Sequence, residues 1–289
     1  MSFTIANTLF LLNPNSGKRN SQKIIARLQK ADKNVNFIIC KSKNELSQLF
    51  ASIDKKYKVL VICGGDGTIN SILPYTKNSN LIFAVWPNGS GNGFARELGF
   101  SNKIEKLFAS IKKGATKKID VIKINDSYFC NVAGVGFDSY IADKFDKNGK
   151  RGLITYVIEA IKALFSYPQI YAEIKADENV FTDRFFMICL ANTRQFGNNI
   201  IIAPKANPGD GLIDLVCIRS FPKILVPLIL LKIVCKKGKN SKYIHYLKAK
   251  EITIKTNYNT YHVDGEPIIK DEPILAAKRE NSMTILNAI

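Results

Sequence analysis

Five apolar, strand-favouring residues, Val59-Leu60-Val61-Ile62-Cys63, run straight into Gly64-Gly65-Asp66-Gly67-Thr68 and then Ile69-Asn70. An apolar strand, a glycine turn and a helix start in this order suit the binding of phosphate. Glycines let the chain turn tightly and bring successive N–H groups against an anion, while the helix N-terminus adds partial positive charge. The run is not a Walker A loop, since Gly-Lys-Ser/Thr is missing, nor is it G-x-G-x-x-G. An ordinary tight turn with Thr68 as N-cap explains one or two glycines, not three that enclose an aspartate.

The first 115 residues or so alternate apolar runs with helix-compatible stretches, the rhythm of βα units and a parallel sheet. Strands are predicted over Thr8 to Leu12, Val35 to Cys40, Lys58 to Cys63 and Leu81 to Trp86. Helices are predicted over Ser21 to Ala31, Asn44 to Ile53, from Thr68 onward and over Lys103 to Lys113. Two further loops follow strand ends: Asn13-Pro14-Asn15-Ser16-Gly17, and Pro87-Asn88-Gly89-Ser90-Gly91-Asn92-Gly93 ahead of Phe94-Ala95-Arg96. Three polar loops at one sheet edge predict a ligand cleft at the C-terminal ends of the strands.

After Gly114 the pattern changes to alternation, as in Lys118 to Ile124, Tyr128 to Ala133, Ile170 to Lys175, Phe185 to Asn192, Leu212 to Ile218, Glu251 to Thr256 and Met283 to Leu286. Strands are expected there, interrupted by helices over Arg151 to Phe165 and Ser220 to Cys235. At about 150 residues per domain, the 289 residues divide into an α/β domain over 1–118 and a mainly antiparallel β domain over 119–289.

In this order the loops resemble the diacylglycerol kinase catalytic-domain family, which includes bacterial lipid kinases and sphingosine kinases. The resemblance is carried by Asn13-Pro14-x-Ser16-Gly17, Gly64 to Asn70, Pro87 to Arg96, Asn131 to Asp138, Ala203-Pro204 through Asp210-Gly211 to Asp214, and Val263-Asp264-Gly265-Glu266-Pro267. It implies a Rossmann-like α/β nucleotide domain of the NAD kinase and diacylglycerol kinase type, a β-sandwich-like domain after it, and ATP in the cleft between them. By the same resemblance Gly64, Gly65, Asp66, Gly67, Thr68, Ile69 and Asn70 hold the ATP phosphates, helped by Asn13, Pro14, Ser16, Gly17, Ser90 and Asn92. Asp66 then acts through Mg2+, and Asp264 and Glu266 complete the catalytic set, one as base toward a lipid hydroxyl. Asp120 resembles an acidic residue of the metal and water network, Arg151 or Lys150 a basic group near the phosphates, and Asn207, Asp210 and Leu212 a structural Mg2+ loop. Ser90 stands where the family often has Thr, Cys40 or Ser42 faces the nucleotide where a Thr is usual, and Gly93 replaces a common Asp.

Read from the residues alone, Asp264 and Glu266 lie one residue apart, so in extended chain both carboxylates point to the same side. Asp-Gly is also a common hairpin device. Asp210-Gly211 carries the same ambiguity, with turn and metal site level. His245 and His262 are the only histidines, and the expectation for both is a structural or exposed position.

Lys plus Arg exceed Asp plus Glu by 42 to 24, a net charge of +18 that attracts polyanions. No aromatic interleaving or nucleic-acid motif accompanies it, so no nucleic-acid partner is expected. The apolar run Ile224 to Cys235 falls short of the roughly 20 residues of a spanning helix, and Lys232, Lys236, Lys237, Lys239 and Lys242 flank it. That combination suits docking to an anionic membrane surface. Met1 to Leu12 lacks the marks of a secretory signal, so the expected place is the cytoplasm, at the inner face of the membrane, with a membrane lipid as substrate. Assembly as a homodimer stays open. Six scattered cysteines without a C-x-x-C pair read as reduced, buried thiols.

Overall fold

The computed structural model describes residues 3–14, 21–77, 79–89, 91–140, 167, 169–197, 200–234, 238, 241–269 and 274–289. The chain forms two units, Met1–Val121 with Asn281–Ile289, and Ile122–Glu280. The sequence suggested one break, at 118/119, where the βα rhythm ends. The chain instead leaves the first unit after Val121, and its last residues return to it. Nothing in the short run Met283 to Leu286 distinguishes a strand that stays from one that returns.

In the first unit β1 (Thr8–Leu12) lies between β2 (Asn36–Ile39) and β3 (Val59–Gly64), and β4 (Ile82–Pro87) lies beyond β3, all parallel. Every residue of β1 and β3 is buried, as strands of a parallel sheet covered on both faces must be. The connections run through α1 (Ser21–Ala31), α2 (Lys43–Ser52), α3 (Asp66–Ile72), the short α4 (Gly93–Glu97) and α5 (Ile104–Lys113). Helix α1 turns Ile24 and Leu28 inward at i and i+4, and α5 does the same with Ile104, Leu107 and Ile111. Helix α5 stops at Gly114, whose φ of 65° gives the left-handed cap. The returning residue Ile285 pairs in parallel with Phe83 of β4.

The chain passes into the second unit within β5 (Thr116–Ile124) and continues through β6 (Ser127–Phe129), β7 (Val132–Gly136), β8 (Ile170–Ala176) and β9 (Asn179–Ala191). Then come β10 (Gln195–Gly197), β11 (Ile200–Ile201), β12 (Ile213–Arg219), α6 (Val226–Val234), β13 (Ile244–Ala249), β14 (Glu251–Thr256), β15 (Thr260–Val263), β16 (Glu266–Ile269) and β17 (Ile274–Leu286). The pairing is antiparallel. Strand β9 serves β8 with its first half, β7 with its second, and β12 along the other edge. Its side chains alternate between two cores, as a period of two demands. Ile188 and Leu190 join Ala133, Val135, Leu215 and Tyr261, whereas Met187, Cys189 and Ala191 join Val216, Ile218 and the inner face of α6 at Val226 and Ile229.

The strand expected over Tyr128 to Ala133 is two strands, broken at Cys130 and Asn131. The helix expected from Ser220 is shorter, a 3-10 turn over Lys223–Leu225 and then α6. The helix expected over Arg151 to Phe165 lies outside the described residues, as do Ser16, Gly17, Ser90, Lys150, Arg151, Lys236, Lys237 and Lys239. Among the described residues no helix is long and apolar enough to cross a membrane.

Candidate functional site

The parallel strands β1, β3 and β4 deliver three loops, and specific contacts brace them into one assembly. Helix α3 begins at Asp66, two residues before the expected start, with Gly65 rather than Thr68 as its N-cap. The amides of Thr68 and Ile69 reach the Gly65 carbonyl at 3.0 and 3.1 Å, and the Thr68 Oγ1 accepts from the Asn13 Nδ2 at 3.3 Å. Asn13 thus ties the first loop to the second. Pro14 follows it half-buried. The buried Ile69 anchors α3 in the core, and Asn70 is half-buried one residue on.

Close approach, not turn conformation, explains the glycines. A Cβ on Gly64 would sit 2.5 Å from the Thr68 side chain, and one on Gly65 would sit 2.9 Å from the Gly89 Cα. The second and third loops therefore meet backbone to backbone. The Asn88 amide donates to the Gly64 carbonyl at 3.0 Å. Asn92, in the left-handed region at φ 49°, clasps Gly89 by accepting from its amide and donating to its carbonyl, at 2.8 and 2.7 Å.

Asp66 completes the brace. Its two carboxylate oxygens accept the Gly93 and Phe94 amides at 2.9 and 3.1 Å, capping α4 from the neighbouring loop. Burial pushes the Asp66 carboxyl above its usual range, and the two amides and the Arg96 guanidinium pull the other way. The residue expected to act through Mg2+ therefore has a direct structural role. Gly67 remains exposed in the first turn of α3, where its amide, ahead of the Thr68 and Ile69 amides held by the Gly65 carbonyl, can meet an anion. Cys40 is buried just past β2, and burial, aided by Glu45, pushes its thiol up. The alternative contact Ser42 caps α2, its Oγ accepting from the Glu45 amide at 3.2 Å. Asp120 is buried on β5.

In the second unit Asp264 and Gly265, at φ 49° and 90°, form the two-residue turn of the β15–β16 hairpin, with Val263 paired to Glu266. This corrects the extended reading. Positive φ at both central positions marks the primed turn for which Asp-Gly is suited, so the carboxylates of Asp264 and Glu266 do not project as neighbours on one strand face. The Asp264 carboxylate folds back onto the break between β6 and β7, accepting from Asn131 and Val132 at 3.0 Å each and from Cys130 at 3.3 Å. These three contacts hold the hairpin turn against the strand break. Glu266 is exposed at the first position of β16.

His262 is buried, its Nε2 3.0 Å from the Asp138 Oδ2, and its Nδ1 accepts from the Gly265 amide at 3.4 Å. This pair, 124 residues apart, buttresses the hairpin. Sequence spacing carried no sign of it.

The loop expected to hold a structural Mg2+ contains a different cation. The Asp210 Oδ2 lies 2.6 Å from the Lys248 Nζ, which also reaches the Asp214 Oδ2 at 3.1 Å. The Asp210 Oδ1 accepts from the Leu212 amide at 3.1 Å, and the Asn207 carbonyl accepts from the Asp210 amide at 3.3 Å. Burial pulls the Lys248 ammonium down, but Asp210 and Asp214 outweigh that and hold it above its usual range. As folded, the Asp210 carboxylate is engaged by the Lys248 ammonium and the Leu212 amide. No group of three or more metal-binding side chains occurs among the described residues.

The chain is similar to known proteins along most of its length. The profile of the diacylglycerol kinase catalytic domain matches residues 7–124, and that of the YegS C-terminal NAD kinase beta sandwich-like domain matches residues 131–286. A diacylglycerol kinase of Mycobacterium tuberculosis (strain H37Rv) is 29% identical over 230 residues, covering 75% of this chain and 74% of that protein. The crystal structure of a diacylglycerol kinase from Bacillus anthracis shares the fold with a TM-score of 0.71 at 20% identity, over 98% of this chain and 97% of that one. An NAD kinase from Archaeoglobus fulgidus in complex with ATP shares it more distantly, with a TM-score of 0.55 at 13% identity over 96% and 92%.

Proposed function

The chain belongs to the diacylglycerol kinase catalytic-domain family and is a lipid kinase, and on that premise we propose that it transfers the γ-phosphate of ATP to the free hydroxyl of diacylglycerol, giving phosphatidic acid. The observation that carries the nucleotide part is the braced assembly of Asn13, Gly64 to Thr68, Gly89 and Asn92 to Phe94. It fixes amides and polar side chains at the ends of three adjacent parallel strands. Phosphoryl transfer needs little covalent help from the protein, and positioning with charge neutralisation supplies most of the acceleration. The Gly67 amide, in the first turn of α3, faces the phosphates. Asp66 and Asn92 hold the loops in register. A magnesium ion carried by the nucleotide would neutralise phosphate charge there.

A carboxylate of the Asp264–Glu266 hairpin takes the proton of the attacking hydroxyl. The paired test is Asp264→Asn and Glu266→Gln in a phosphoryl-transfer assay with diacylglycerol in detergent micelles. Loss of a general base lowers turnover by roughly 10²- to 10⁴-fold. Glu266 is exposed, so Glu266→Gln keeps the wild-type melting temperature. Full activity in both variants sinks the assignment of the hairpin.

A further inference from the structure

Helix α6 packs Val226 and Ile229 into the core of the second unit, while its other side is both apolar and open to solvent. Ile224, Leu228 and Leu231 are 87%, 47% and 58% exposed. Their spacing of four and three residues sets them along one side of the 3-10 turn and the helix that continues it. Scattered exposed leucines need no explanation, but an apolar ridge does. Lys223 adjoins its first residue. Beside it runs a groove of about 440 Å³, floored by Leu225, Leu228, Ile229 and Tyr243 and edged by Lys232 and Lys242. The Lys242 ammonium sits 5.2 Å from the Tyr243 ring centroid.

We propose that this ridge and groove dock the enzyme on an anionic lipid bilayer, with Ile224, Leu228 and Leu231 entering the acyl boundary and Lys223, Lys232 and Lys242 meeting lipid phosphates. Charge selects the occupant. A second copy would bring the same lysines and a further net charge of +18 against them, which repels. A nucleic acid would engage the lysines and leave the apolar ridge in water. An anionic bilayer satisfies both at once, because interfacial helices combine apolar insertion with attraction to anionic headgroups. The choice of a bilayer as partner rests on the lipid kinase reading.

Sedimentation of the full chain with vesicles tests this. Wild type binds vesicles of mixed phosphatidylglycerol and phosphatidylcholine, and binds pure phosphatidylcholine far more weakly. Each lysine near an anionic surface strengthens binding about fivefold, so Lys223→Gln, Lys232→Gln and Lys242→Gln together weaken it by about 100-fold. Ile224→Ser, Leu228→Ser and Leu231→Ser together abolish binding to both vesicle types, with circular dichroism unchanged. Both triple variants keep wild-type activity within about twofold on a short-chain diacylglycerol dissolved as monomers, since these residues stand outside the proposed catalytic set. Variants that sediment like wild type overturn the docking surface, as does a dimer in solution that Leu228→Ser dissociates while vesicle binding persists. Absence of kinase activity in wild type on the soluble lipid counts against the lipid kinase reading alone, because vesicle binding is scored without turnover.

Discussion

Replacing Gly89 with alanine is expected to damage activity far more than stability. A Cβ at this position would lie 2.6 Å from the Gly65 Cα and 2.9 Å from the Asn92 Oδ1. Carbon atoms in contact rest at roughly 3.5–4.0 Å, so the two loops must part by about 1 Å. Neither neighbour yields easily, since one is backbone and the other is held by the Gly89 amide at 2.8 Å. Overpacking of this kind costs about 1–3 kcal/mol, a drop of roughly 2–4 °C in melting temperature per kcal/mol for a chain of this size. The larger effect is on positioning. A displacement of about 1 Å at groups that orient a reactant lowers the rate by roughly 10²-fold. Steady-state kinetics with micellar diacylglycerol, alongside calorimetry, separates the two effects. Wild-type kcat/KM in a folded Gly89→Ala protein would refute the claim that the backbone contact of the two glycine loops sets the geometry of the site.

Three more perturbations bear on the second unit and the thiols. Asp264→Ala leaves three amides without their carboxylate and places alanine at positive φ, so it destabilises by about 2–4 kcal/mol; Asp264→Asn, which keeps an acceptor oxygen and tolerates that φ, recovers at least half in denaturant titration. Equal stability of wild type and Asp264→Ala would contradict the strut role. Excess EDTA leaves the wild-type melting temperature unchanged because Lys248 already faces Asp210 and Asp214; Lys248→Met lowers it and makes it rise with added Mg2+, whereas a chelator-sensitive wild type would mean that a metal displaces the lysine. Cys40, Cys63, Cys130, Cys189 and Cys217 are buried. Burial raises the thiols of Cys40, Cys63, Cys189 and Cys217, the last to about 12. These four stay protonated at pH 8, and native protein should release no more than one equivalent of thionitrobenzoate until it unfolds. Rapid release of several equivalents from folded protein would count against that burial.

The α/β unit was legible because its signals are local. Val59 to Cys63 is apolar enough to be buried on both faces, and Ser21 to Ala31 has the helical period, so strand and helix appear within a residue or two of their expected limits. The glycine loops were legible as a ligand edge for the same reason. What escaped depends on long-range pairing. Asp66 reaching Gly93 and Phe94, Asp264 reaching residues 130 to 132, and His262 meeting Asp138 join positions 27 to 134 residues apart. No periodicity encodes such partners. The hairpin was half legible, since Asp-Gly announces a turn, but the apposed carboxylates of extended chain were equally consistent with the letters. Lys248 gave no signal, as a lysine on an alternating strand usually lies in solvent.

The most direct measurement incubates the purified protein with γ-labelled ATP, magnesium and a total lipid extract, then separates lipid from aqueous products. Label in a lipid that co-migrates with phosphatidic acid, lost in Asp264→Asn or in Glu266→Gln, is the predicted result. Label in a soluble nucleotide with none in any lipid would contradict the account.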